Sequence, residues 1–193
     1  MKLSILICSL HERQYFLAKM LDNLKGQLGE YLEEDGKIIS EDVEIIISTD
    51  GGEMRVGDKR NLLLSKAIGD YIVFVDDDDR VSKDYVKYLL AGIATDSDII
   101  VFDLMCSLNG GEYKPVIYDV NFIKDQDYPD RYERIPNHIM CWKKSIIKSK
   151  FPSINRGEDA EWAKRNKRHI KSEARIDKVL YWYDFNQKTT RTQ

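Results

Sequence analysis

The residues with the most chemical potential are four consecutive aspartates, Asp76–Asp79, which directly follow the apolar run Tyr71–Val75. That run has no polar alternation and is mostly β-branched or aromatic, the pattern of a strand covered on both faces of a parallel sheet. Adjacent carboxylates repel one another, so the cluster calls for a cation, and hard oxygen ligands favour Mg2+, Mn2+ or Ca2+. The bland alternative is a solvated acidic turn that stops a strand. The buried strand argues against it, because open α/β sheets bind ligands beyond the carboxyl ends of their strands. A second acidic pair, Glu158-Asp159, follows Gly157 at an expected helix start. There it complements the helix dipole, or, far in sequence from the first cluster, supplies a separate proton acceptor. Lys59 and Arg60 lie in the first turn of another expected helix, where cations oppose the dipole. That placement points to an anionic ligand or to a surface ion pair.

The elements that must position these groups alternate. Leu3–Ile7 reads as a first strand with a polar exit at Cys8–His11. Phe16, Leu17, Met20, Leu21, Leu24, Leu28 and Tyr31 recur at helical spacing, with Gly26 and Gly29 weakening the second half. A charged connector over Glu33–Ser40 leads to a strand over Val43–Ser48 that ends in Thr49-Asp50-Gly51-Gly52. The helix carrying Lys59 and Arg60 begins near Asp58 and stops at Gly69. Beyond the aspartates, Ser82 is the expected cap of a helix to about Ala94, and Ile99–Phe102 is a fourth strand. This order predicts a mostly parallel central sheet flanked by helices on both faces. The second half reads as smaller and irregular. Asn109-Gly110-Gly111 marks a hairpin whose return segment, Glu112–Tyr118, is expected at a sheet edge because of Pro115. Asp119–Pro136 reads as a long loop, His138–Trp142 as a strand, Glu158 to about Arg168 as a helix, and Lys178–Phe185 as a last strand.

The 193 residues suit one domain, with 1–103 and 104–193 as its halves. A hydrophobic share of 42% and a net charge of −3 give no global attraction to nucleic acid or an anionic membrane, so no stable nucleic-acid binding is expected. Cys8, Cys106 and Cys141 are far apart and lack a C-x-x-C spacing, which speaks against a disulfide framework or zinc site. The apolar run in MKLSILICSLHER is too short for a secretion signal or a membrane span, and no later run is long enough either. A cytoplasmic location is the expectation.

Four features in order carry a family resemblance: SILICSLHER in the opening strand, STDGG after the second, the GDKRN…AIGDYIVFVDDDD run, and GED. Together they resemble the GT-A fold of family 2 inverting glycosyltransferases, most specifically over Gly57–Asp79. The resemblance implies a nucleoside diphosphate sugar as donor and a divalent cation, Mn2+ or Mg2+. It implies that Ser9, His11, Glu12 and Asp50 line the base and ribose pocket, with Asp50 suiting a uracil-like base, and that Lys59 or Arg60 holds the nucleotide. Asp76-Asp77-Asp78 matches the family's Asp-x-Asp, with Asp76 toward the ribose, Asp78 on the metal, and Asp79 as the further acid. Asp159, beside Glu158, would be the general base for inverting transfer to a hydroxyl on a glycan, lipid, protein or modified nucleic acid.

The chain departs from the family in leaving little sequence after its last strand. The rest of an acceptor site is then expected from Asp119–Pro136, from the tail, or from another subunit of a homo-oligomer. Trp162, one turn after Asp159, is the expected acceptor contact. His138 faces the diphosphate or acceptor, or is structural. Lys188 and Arg191 form a basic lid over the diphosphate or a disordered tail. Two other functions stay open. A sugar nucleotidyltransferase would want a glycine-rich loop after the first strand, where CSLHERQ has no glycine. A non-catalytic nucleotide- or glycan-binding module fits the small size but not the complete acidic sets.

Overall fold

The structure, a computed structural model, describes residues 1–185. Its strands are β1 (Leu3–Leu10), β2 (Tyr31–Glu34), β3 (Lys37–Ser40), β4 (Val43–Asp50), β5 (Tyr71–Phe74), β6 (Arg80–Val81), β7 (Ile99–Leu108), β8 (Lys114–Tyr118), β9 (Gln126–Asp127), β10 (Tyr132–Arg134), β11 (Cys141–Lys143) and β12 (Glu173–Phe185). The helices are α1 (Gln14–Lys25), α2 (Val56–Lys66), α3 (Tyr85–Ile93) and α4 (Glu158–Lys167). One sheet runs β2-β3-β4-β1-β5-β11-β7-β8-β10-β9, with β12 beside β7 and β6 beside β12.

The sheet is mixed: unbroken apolar runs form the parallel group β4-β1-β5, whereas most of the other pairings are antiparallel, against the expectation of a mostly parallel sheet. β1 pairs in parallel with β4 and β5, and β12 with β7. Short β11 is inserted antiparallel between β5 and β7, so the long strands on either side of it point the same way. The carboxyl ends of β1, β4 and β5 therefore lie along one edge, bringing Ser9, Asp50 and Asp76 to the same end of the sheet. Gln27, after α1, accepts from the Val86 N–H of α3 at 2.9 Å, tying those helices together. On α2, Asn61 donates to the Phe151 carbonyl at 2.9 Å, in the segment leading to α4. Among the described residues, no helix is long and apolar enough to cross a membrane.

Several boundaries differ from the sequence expectation. The connector over 33–40 is half of a hairpin, β2-β3, turned at Asp35 and Gly36, whose φ angles of 49° and 73° suit an Asp-Gly type I′ turn. β8 is not an edge strand, because β10 pairs with it from within the expected long loop. Met105 faces Pro115 in the antiparallel ladder on its other side. Ser82 does not cap α3; its Oγ accepts from the Asp84 N–H, just before the helix.

Two close approaches lock the segments that carry the site. The Glu44 carboxylate, fully buried on β4, accepts from Ser4 Oγ and from the Ile68 N–H, both at 2.6 Å, and Ser4 Oγ accepts from the Gly69 N–H at 2.9 Å. This network sets the turn into β5. On α2, Gly57 N–H donates to the Ile154 carbonyl at 3.2 Å. A Cβ at Gly57 would meet the Pro152 carbonyl oxygen at 1.9 Å, so only glycine lets α2 contact the loop before α4. Gly57→Ala should cost about 1–3 kcal/mol, read as a lower urea midpoint. An unchanged midpoint would mean that this approach does not occur.

Candidate active site

The aspartate row begins at the end of β5, and its side chains draw partners from several parts of the chain. Asp76 accepts from Arg60 Nη2 at 3.3 Å. Asp77 is buried, accepts from Ser9 Oγ at 2.6 Å, and takes a two-pronged contact from Arg13, Nη2 at 2.6 Å and Nε at 2.9 Å. Arg13 Nη2 also lies 2.8 Å from Asp78 Oδ2. Asp79 is buried and accepts from the Tyr181 hydroxyl at 2.6 Å, while that hydroxyl accepts from the Asp76 N–H at 3.1 Å. Asp79 thus anchors the turn to β12.

The second acidic pair reaches the same place. Gly157, at φ 75°, turns the chain into α4, whose first turn holds Glu158, Asp159 and Glu161 and whose last turn holds Lys164, Arg165 and Lys167. This charge order complements the helix dipole, so the capping role and a site role coexist. Arg60 Nε lies 3.2 Å from Glu158 Oε1. His138 bridges the two acidic groups, Nδ1 3.4 Å from Asp159 Oδ2 and Nε2 3.6 Å from Asp76 Oδ2. These are ion-pair contacts, not aligned hydrogen bonds.

The local charges set the protonation states. Burial raises Asp76, but Arg60 and then His138 outweigh it and bring its pKa down to about 2. Burial likewise opposes ionisation of Asp159, yet His138 and Arg60 hold it well below the usual carboxylate range. Burial and the Arg60 charge push His138 down, but Asp159 and Asp76 overrule them and its pKa stands above the ordinary 6.5. Burial raises Asp78 against the opposing pull of Arg13. It also raises Glu158, against Arg60. Arg60 is buried near the rings of Phe74 and Phe151, 5.3 and 5.8 Å from their centres, and its Nη1 has no hydrogen-bond partner among the described residues.

These groups line two hollows. A cleft of about 330 Å3 is walled by Ser9, Arg13, Arg60, Asp76, Asp77, Asp78, Arg156, Glu158 and Asp159. Beside it, a cavity of about 680 Å3 has a floor of Leu104, Val116, Tyr118 and Ile139, with Lys124, Arg134 and Lys164 also in its wall. Asp76, His138, Asp159 and Tyr183 line both.

The sequence-predicted residues divide accordingly. Ser9, Arg60, Asp76, Asp77, Asp78, His138, Glu158 and Asp159 converge. His11 and Glu12 are exposed in a short 3-10 turn and do not line the cleft. Lys59 does not line the cleft. It is 0% exposed and donates to the Ser9 carbonyl at 2.9 Å and to Asp50 at 2.5 Å. Asp50 also accepts from the N–H groups of Gly52 and Met54, and it stands outside the cleft wall. Trp162, the expected acceptor contact, is 0% exposed and lines neither hollow. Its ring stacks on Phe151 at 4.5 Å and meets Trp142 edge-on at 5.0 Å, which seats α4 on the sheet. Lys188 and Arg191 lie outside the described residues. Sequence reasoning passed over Arg13, two residues beyond His11. Its signal was a lone cation at the exit of the strand adjacent to the aspartate-bearing one.

Among the described residues, no three His, Cys, Asp or Glu side chains are arranged to hold a metal ion by themselves. The donor set nevertheless fits a divalent cation shared with a ligand. Five carboxylates face three guanidiniums across the cleft wall, and Asp78 and Asp76 are its least buried acids of the row. Mg2+-like cations often take one or two carboxylates and draw their remaining ligands from phosphate and water.

A family model, glycosyl transferase family 2, matches residues 45–157, and the chain belongs to that family. Its GT-A fold is similar to that of TarS from S. aureus. The structure of TarS 1–349 in complex with UDP-GlcNAc has a TM-score of 0.70 at 14% identity, covering 99% of this chain and 62% of that one. TarS 1–349 in complex with UDP gives 0.69 at 16% identity, covering 95% and 60%. A197 from STIV gives 0.52 at 14% identity, covering 92% and 82%. The chain thus spans about three fifths of the TarS 1–349 structures. A comparison with curated proteins finds no matching sequence.

The His138 bridge makes stability depend on pH with a definite sign. A histidine raised on folding stabilises fully below its ordinary pKa, and the effect is lost as pH rises through the raised value. Urea midpoints of wild type and His138→Gln, measured between roughly pH 6 and 9, should differ most at the acid end and converge as pH rises. A constant difference would mean that the ring acts by packing alone.

Proposed function

We propose that this chain transfers a sugar from a nucleoside diphosphate, with uridine as the expected nucleoside, to a hydroxyl acceptor with inversion. One observation carries the reading: Asp159 belongs to the wall common to the cleft and the larger cavity. Direct displacement needs that arrangement, with the leaving diphosphate on one side of the reacting carbon and the base on the other. The TarS structures with UDP-GlcNAc and UDP support the choice of nucleotide. The buried guanidinium of Arg60, with Nη1 unpartnered, supports an anion in the cleft, since a buried donor gains most from an oxygen partner.

In the proposed step, the acceptor oxygen bonds to the anomeric carbon as the carbon–oxygen bond to the diphosphate breaks. The diphosphate leaves with the electron pair, and the hydroxyl proton passes to Asp159. His138 keeps that carboxylate ionised and aimed, and the same pairing makes it a weak base. The proton therefore crosses late, once the attacking oxygen has become acidic through bonding to carbon. Asp78, with Asp76, would hold the divalent cation, whose role when bound is to neutralise charge on the diphosphate. The apolar floor of the larger cavity would receive the body of the acceptor, and holding both substrates together supplies much of the acceleration.

Calorimetric titration with UDP, GDP and dTDP, with and without Mn2+, tests the donor site; one nucleotide should bind, and only with the metal. Asp78→Ala should abolish that metal-dependent affinity. Asp159→Asn should retain it while transfer falls by about 10²–10⁴-fold. Undiminished transfer by Asp159→Asn would remove that residue from the mechanism. A folded protein that binds none of the three nucleotides would sink the donor assignment.

A further inference from the structure

The contact that the proposed function leaves unexplained is Arg13. Its guanidinium spans two carboxylates, but unequally. Toward Asp77, 4% exposed, it places Nε at 2.9 Å and Nη2 at 2.6 Å, and Ser9 Oγ completes that carboxylate at 2.6 Å. Toward Asp78, 22% exposed, it makes a single contact, Nη2 at 2.8 Å. The Asp77 side is an anchor, and the Asp78 side is a loose end facing the cleft. The guanidinium also lies over the Phe16 ring, 5.4 Å from its centre, which limits its swing. A divalent cation on Asp78 Oδ2 would sit about 2.0–2.6 Å from that oxygen. Nη2 already lies on that oxygen, and its charge opposes a second positive group there.

We propose that Arg13 is a built-in counter-cation that keeps Asp78 from a divalent cation until the donor diphosphate draws Nη2 away. Guanidinium–phosphate pairing is strong and fork-shaped, so Nη2 moves from Asp78 to a phosphate oxygen while Nε stays on Asp77. Asp78 is then free for the cation. Metal and nucleotide binding are thereby coupled, and the coupling is reciprocal. The proposal rests on the donor cleft assigned above.

The test is titration of Mn2+ alone and of Mn2+ with UDP, following free Mn2+ by its electron paramagnetic resonance signal. Wild type should bind Mn2+ weakly alone and far more tightly with UDP. Arg13→Gln should bind Mn2+ alone about 10-fold more tightly or better, the scale of one charge-assisted hydrogen bond, and UDP should add less. Arg13→Lys, which keeps the charge but cannot fork across both carboxylates, should move in the same direction by less, and it serves if the glutamine variant does not fold. Adding Asp78→Asn to either variant should erase the gain. Mn2+-dependent UDP binding by wild type, with neither Arg13 variant tightening Mn2+ alone, would overturn the role of Arg13 and leave the donor cleft standing. Absence of Mn2+-dependent UDP binding by wild type would overturn both.

Discussion

Four carboxylates in a row at the end of a buried strand repel one another and lose hydration at the same time, so each needs its own compensation. The fold provides it by drawing partners from separate parts of the chain. Asp76 meets Arg60 of α2 and His138 before β11; Asp77 meets Ser9 of β1 and Arg13 at the start of α1. Asp78 shares Arg13, and Asp79 takes the hydroxyl of Tyr181 on β12. Compensating the carboxylates of one short turn therefore ties together elements that are up to 102 residues apart.

The same demand shapes the ground between cleft and cavity. Arg60 is a buried cation serving Asp76 and Glu158 at once, flanked by Phe74 and Phe151. Those rings offer their negative faces to the guanidinium, which lets a charge sit in an otherwise apolar place. His138 then joins Asp76 to Asp159, so the acidic group at the end of β5 and the one at the start of α4 behave as one electrostatic unit. Removing Arg60 would leave the buried Glu158 without its ion-pair partner, which costs more than the lost contact alone.

Packing fixes where that unit sits. Trp162 and Phe151 stack with their planes 4° apart, Trp142 meets Trp162 at an edge, and the absence of a side chain at Gly57 admits the loop before α4. The apolar surface buried in this cluster holds α4 against the sheet. The helix's first turn can then present Asp159 to both hollows while its remaining charges complement its own dipole.

Local patterns in the sequence determined a good deal of this protein. The unbroken apolar runs at β1, β4 and β5 specify buried parallel strands, and Gly157 before Glu158 and Asp159 specifies the start of α4; the three- and four-residue spacing specifies α1 only as far as Lys25, for Leu28 lies beyond the helix and Tyr31 opens β2. Asp35-Gly36 was an equally local signal for the β2-β3 hairpin, hidden by the charged residues around it. These features are legible because they depend on neighbours within a few positions. The tertiary structure alone decided which charges meet. Lys59 and Arg60 are adjacent, yet a rotation of about 100° along the helix sends one into the core beside Asp50 and the other to the cleft. Trp162 faces the core for the same reason, and Arg13 reaches Asp77 across 64 residues of chain. Pairing of charges over such distances follows from the order in which strands lie side by side, and no spacing within a single segment encodes that order.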